Sequence, residues 1–236
     1  MVKEMISTKD TAKLLGVAFL FQAIASLLSE TISDSLIDPD SISNSMVNIS
    51  NNPVTMQIGI IGKLITAIGI LLLTVLLYTA LKSQNKVVAR WAFGLRLTEV
   101  TSFIVIVISA FALLFISQEY AASGIADSSN YVILGSLFYE SMEYTFNINM
   151  LFFGLGAFLF YYLFLKSKYI PKIFSIWGIV SSFLALIGIL FALFSYELNM
   201  FVYLIAFLPI LPLELSLGVW LIVKGFRPHE IKAKGG

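Results

Sequence analysis

Apolar residues along this chain fall into runs much longer than a soluble helix needs, divided by short polar segments. The runs cover residues 13–33, 54–81, 91–116, 145–165, 173–194 and 200–223. Each is long enough, at about 1.5 Å per residue, to carry a helix across a hydrocarbon core about 30 Å thick. The pattern predicts an all-α fold: a polytopic membrane helix bundle of six transmembrane helices, forming a single integral membrane domain over residues 1–236. Lys3, Lys9 and Lys13 before the first run, with Ala23-Ile-Ala25 inside it, imitate a cleavable signal. The run continues through Leu27 and Leu28, so it reads as a retained helix.

The segments between runs carry further expectations. Asp34–Pro53 is polar, but Ile42, Met46 and Ile49 recur near helical spacing, so a short interfacial helix and a plain loop both fit. Tyr131–Tyr144 is apolar yet holds Glu140 and Glu143, which suits an outer extension of the fourth span or a lead-in to it. Tyr169-Ile-Pro171 should end the fourth span, because proline cannot continue a helix there. Pro209 and Pro212 fall inside the sixth run, where a kink and freed carbonyls are expected.

Composition supports lipid as part of the solvent. Hydrophobic residues make up 58% of the chain and charged ones 12%, against about 45–50% and about 25% in soluble domains. Charge placement then sets direction. Thirteen of fifteen Lys and Arg residues lie in the N-terminal segment, in 82–90, in 166–172 and in the tail from Lys224. The three alternate segments hold none, only Asp34, Asp38, Asp40, Glu119, Asp127 and Glu197. This bias puts both termini on the cytoplasmic side of a cell membrane, with Trp91 and Trp220 near the inner boundary.

Other chemistry is narrow. There is no cysteine, and the one histidine, His229, is in the tail, so no metal site and no cofactor is expected. No long basic run suggests nucleic acid. The expected partners are the lipid bilayer and a small-molecule, ion or lipid ligand, with oligomeric state undetermined. Gly59, Gly62, Gly69, Gly154 and Gly156 read as close-packing positions. Asn48-Ile-Ser50 fits a glycosylation triplet.

Charges inside the spans are the candidate site. An ion at a helix centre costs about 2.5–3.5 kcal/mol on insertion scales, so it should be paired or line water. Counted from the inner ends, Arg96, Glu99, Glu214 and Gln22 all lie roughly 9–15 Å deep. Glu30, Lys63, Asn147 and Asn149 form an outer set, Glu30 and Lys63 about 25–27 Å up. Depth cannot tell whether either set converges in the plane. The inner set reads either as a polar cavity or as an ion-pair network clipping helices together, and Arg96 could also snorkel to the inner interface. Snorkelling to the outer surface is the expectation for Lys63 and Glu30.

Four stretches in order carry a resemblance: Phe93-Gly-Leu-Arg-Leu-Thr-Glu99, Leu151-Phe-Phe-Gly-Leu155, Tyr169-Ile-Pro-Lys-Ile173 and Glu214-Leu-Ser-Leu-Gly-Val-Trp-Leu-Ile-Val-Lys-Gly225. With this set the chain resembles the multi-span membrane family named "domain of unknown function 4386". The resemblance implies a six-helix membrane domain of unassigned activity, with Arg96, Glu99 and Glu214 at positions the family tends to charge. Members often carry a histidine just after Phe-Phe-Gly-Leu, where this chain has Gly156, so a role resting on that histidine does not carry over.

Three function classes remain open from the residues. One is a small transporter or permease-like protein using the inner polar set as its site. Another is a non-catalytic membrane protein that binds lipid, ligand or a partner. The third is a metal-independent intramembrane lipid enzyme with Glu214 or Glu99 as general acid or base.

Overall fold

The computed structural model describes residues 8–123, 128–194 and 208–227. Among them are seven helices and no strand: α1 (Thr8–Asp34), α2 (Ile42–Asn51), α3 (Pro53–Leu81), α4 (Lys86–Ala122), α5 (Ser128–Ser167), α6 (Lys172–Phe194) and α7 (Ile210–Lys224). Five of these, α1 and α3–α6, are long and apolar enough to cross a membrane. Val17, Ile68, Ile108 and Phe183 are each more than half exposed, an arrangement that lipid stabilises and water does not. The chain is an integral membrane protein.

The sixth predicted span, 200–223, lies partly outside the described residues, and its described portion is α7. The expected proline kink is not seen in that portion. Leu208 and Pro209 form a turn, Pro209 occupies the N-cap, and Pro212 sits in the first turn of α7. The N–H groups of that turn have no helical acceptor, so proline starts a helix there at no hydrogen-bond cost.

Two other boundaries lie further out. α4 and α5 run well past the predicted 91–116 and 145–165, because Tyr131–Tyr144 continues as α5 without a break. At about 1.5 Å per residue these helices are roughly 55–60 Å long, beyond the hydrocarbon thickness. The polar stretch after α1 does contain a helix, α2, with Met46 and Ile49 fully buried.

The cap of α2 is explicit. Ser41 Oγ accepts from Asn44 N at 3.2 Å, while Asp38 accepts from Asn44 Nδ2 at 2.8 Å and from Asp40 N at 3.0 Å. The Asn44 amide, with the Asp40 and Ser41 backbone N–H groups, holds the Asp38 carboxyl below the ordinary aspartate range. A depressed folded-state value contributes stability above the ordinary value and loses it as pH falls through the folded one. A carboxyl NMR titration should place the Asp38 midpoint below that of a free aspartate, and Asn44→Ala should return it upward. An unchanged midpoint in the variant would mean that the amide does not hold the carboxylate.

The described contacts sort into two compact units. The first comprises residues 1–23, 69–99 and 150–236. Its core is built on Leu15, Phe19, Leu73, Leu77, Phe160, Phe164 and Leu217, all buried. α1 and α7 meet there at paired glycines: a Cβ on Gly16 would lie 2.6 Å from the Gly218 carbonyl oxygen. The second unit comprises residues 24–68 and 100–149. Met46 and Ile49 of α2 pack with Met56, Ile60, Val107, Ala110 and Leu113 in its core.

Hydroxyl groups inside the spans are mostly satisfied by their own helix. Thr66 donates to Gly62 O, Thr74 to Ile70 O, Ser117 to Leu113 O and Ser182 to Gly178 O, at 2.7–3.0 Å. Such back-bonding makes a polar side chain compatible with lipid without any neighbour.

Candidate functional site

The inner polar set belongs entirely to the first unit, and three of its members form a cluster. α4 supplies Arg96 and Glu99, three residues apart and therefore on one helix face. Arg96 Nη1 lies 2.7 Å from Glu99 Oε2, and the two residues are 2% and 1% exposed. Arg96 is thus paired and does not snorkel. Its guanidinium carbon also sits 5.0 Å from the centre of the Phe153 ring of α5, a cation–π contact. α7 contributes Glu214, whose side chain is buried because Leu213, Leu217 and Leu221 put that helix face into the core.

Arg96 and Glu214 open on the same cavity, with Tyr161, Phe153, Phe19 and Leu73 also on its wall. Its volume is about 20 Å³, room for about one water. Organic ligand pockets run to roughly 300–1,000 Å³, so an organic solute does not fit here. Two glycines shape it. A Cβ on Gly156 would come within 2.8 Å of Arg96 Cγ, so the bare backbone of α5 leaves space for the arginine stem. Gly178 of α6 lies against the Tyr161 ring in the same way.

Arithmetic of charge then defines the chemistry. One guanidinium accompanies two carboxylates, leaving one negative charge in excess if all three ionise. Arg96 Nε is buried without a hydrogen bond among the described residues. A water, a proton or a small cation can complete such a site.

Gln22 is buried in the same unit, with Oε1 unbonded among the described residues, but it is not on the cavity wall. It packs on α3 beside Gly69, whose Cβ would meet Gln22 Cα at 3.3 Å. Ser181 and Ser182 are buried as well. Sequence reasoning misses Tyr161 and Phe153. Each is one aromatic among many in an apolar run, and the only signal is a glycine facing it or its partner.

The outer set lies in the second unit. Lys63 is 3% exposed and contacts Glu30 through Nζ and Oε2, so the snorkelling expectation fails for Lys63. The reason is local. Gly59 and Gly62 of α3 bring Ser33 and Ser29 of α1 into near contact, which buries the lysine beside a carboxylate on the facing helix. Asn149 donates to Ser102 Oγ at 3.0 Å, and Asn147 is half-buried. Among the described residues no group of three or more His, Asp or Glu side chains is placed to hold a metal ion.

Residues 14–225 match the family described as Domain of unknown function (DUF4386). No curated protein and no solved structure matches the chain.

Proposed function

We propose a function from one premise: the chain belongs to the DUF4386 family of integral membrane proteins, whose description assigns no activity, so its own residues must carry the reading. It is a small transporter or permease-like protein in which Arg96, Glu99 and Glu214 form the polar site. The observation that supports this most is a buried guanidinium that pairs with one carboxylate, Glu99, and shares a water-sized space with a second, Glu214. A purely structural pair needs no cavity and no second carboxylate. The size of the space favours a proton or a small cation as the species handled there. Pro209 and Pro212 start α7, which places Glu214 two residues after Pro212, near the beginning of the helix.

Proton flux into liposomes holding the purified protein, driven by an imposed potassium diffusion potential, tests the reading. Wild type should exceed protein-free vesicles. Glu214→Gln keeps size and hydrogen bonding, and should return flux to the protein-free level while melting normally. Wild-type flux at background with both proton and sodium gradients would refute the transport reading.

The six-span arrangement with both termini in the cytoplasm of a cell membrane belongs to the same proposal, on the strength of the basic-residue bias. Reporter fusions after Gln84, Ser167 and Gly236 should report cytoplasm, and fusions near Asn44, Ser128 and Glu197 the opposite side. A cytoplasmic signal at Asn44 or Ser128 would overturn it.

A further inference from the structure

The polar cavity is narrow in chemistry as well as in volume. Among the described residues only three polar side chains reach its wall, Arg96, Tyr161 and Glu214, and the rest of the lining is Phe, Leu and Ala. Tyr161 and Glu214 carry oxygen, whereas a guanidinium only donates. The carbonyls of the surrounding helices are engaged by N–H groups one turn ahead. A metal cation entering this space must exchange its hydration shell for several oxygens. Two side chains do not supply them, and the Arg96 charge on the same wall repels the ion. The space of about 20 Å³ holds roughly one water, so the ion cannot bring its shell along. A proton needs one lone pair and no shell.

The two carboxylates are not equivalent. Glu99 lies 2.7 Å from the arginine on its own helix and is not on the cavity wall. A guanidinium stays ionised in proteins, so a proton placed on Glu99 would leave a buried cation without its counterion. Glu214 is on the wall, and among the described residues no basic side chain forms an ion pair with it. A proton placed there leaves one guanidinium and one carboxylate, a neutral set. α4 presents Arg96 and Glu99 to this region, and α5 presents Tyr161. The other described helices around Glu214 add no ionisable group. α1 meets α7 through Gly16 and Leu20, α3 reaches the cavity through Leu73 and Leu77, and α6 has no titratable residue after Lys172. Tyr196, Glu197 and Tyr203 lie outside the described residues, in a segment, 195–207, that has no lysine or arginine.

We propose that the species taken up at this site is a proton and not an alkali cation, bound and released by Glu214 while Arg96 and Glu99 stay paired. The carboxylate gains the proton on one oxygen, and no other bond forms or breaks. The inference rests on the transport reading of the site and names its substrate, yet the carboxyl chemistry is measurable without any flux.

Infrared difference spectroscopy of the purified full chain, stepped in pH, tests it. Wild type should show a carboxylic C=O band that is lost as pH rises, that Glu214→Gln lacks and that Glu214→Asp keeps at a displaced frequency. Tyr161→Phe should retain the band, because a proton does not need the second oxygen of the wall. Replacing choline chloride by sodium chloride should leave the midpoint of the band unmoved. A cation competing for the same carboxylate would instead shift it by about one pH unit for each tenfold in concentration. A midpoint that follows sodium, the absence of a band that depends on Glu214, or loss of the band in a Tyr161→Phe protein that melts normally would each overturn the proposal. Proton flux at background beside an intact, sodium-insensitive Glu214 band would refute transport alone and leave Glu214 as the proton-binding group.

Discussion

Arg96→Met is expected to lower stability by about 3–5 kcal/mol, the cost of leaving a buried ion without its partner. The residue is 2% exposed and is paired with Glu99 at 2.7 Å, while Glu214 shares its cavity. Methionine fills much of the volume beside Gly156, so packing loss is small and the charge effect dominates. Arg96→Lys should fall between wild type and methionine, because it keeps the charge but loses the planar group over Phe153. Adding Glu99→Gln to Arg96→Met should recover part of the loss, since neutralising both partners removes the unpaired ion. Thermal unfolding in detergent, followed by circular dichroism, reads all four proteins. A methionine variant within about 0.5 kcal/mol of wild type would mean the pair is not desolvated.

Three glycine-to-alanine substitutions should give three different outcomes, although composition treats them alike. Alanine is favoured over glycine inside a helix by about 1 kcal/mol. At Gly94 an added Cβ meets nothing within 4 Å, so Gly94→Ala should stabilise by about that amount. At Gly218 the nearest atoms are Leu20 Cδ2 at 2.8 Å, Leu20 Cγ at 2.9 Å and Gly16 O at 3.0 Å. The leucine can shift but the carbonyl cannot, so a loss smaller than at Gly16 is expected. At Gly16 the added carbon lies 2.6 Å from Gly218 O and 3.0 Å from Ile222 N, both backbone atoms. α1 and α7 must then separate, and a net loss of about 1–3 kcal/mol is expected. Melting temperatures should rank Gly94→Ala above Gly218→Ala, and that above Gly16→Ala; any reversal at Gly16 would contradict the close approach.

The membrane fold is legible because apolar runs of this length suit little besides a helix in lipid, and five of the six appear as helices of spanning length. The two sets reached by depth counting fall in different contact units: Gln22, Arg96, Glu99 and Glu214 in one, Glu30, Lys63, Asn147 and Asn149 in the other. Depth counting cannot decide which of them meet, because rotation about each helix axis is fixed by packing and leaves little trace in an apolar sequence. Depth therefore groups Gln22 with a cavity it does not line. Hydropathy alone leaves Lys63 free to reach the surface, because the Gly59 and Gly62 contacts with α1 are relations between two separate segments. Tyr131–Tyr144 is open to two readings in the sequence, an extension of the fourth span or a lead-in to it, and Glu140 and Glu143 do not decide between them; α5 runs through it as the extension.

The self-bonded hydroxyls of the spans have a mechanical consequence. Because Thr66, Thr74, Ser117 and Ser182 each bond to a carbonyl one turn back on their own helix, they travel with that helix. A slide of one helix past another therefore breaks none of these bonds. What resists it is shape: knobs seated in the notches at Gly16, Gly156, Gly178 and Gly218. One turn away from each notch stands a residue with a side chain, such as Leu20 beside Gly16 or Phe160 beside Gly156, so the notches admit one register and oppose a slide by a full turn, roughly 5.4 Å.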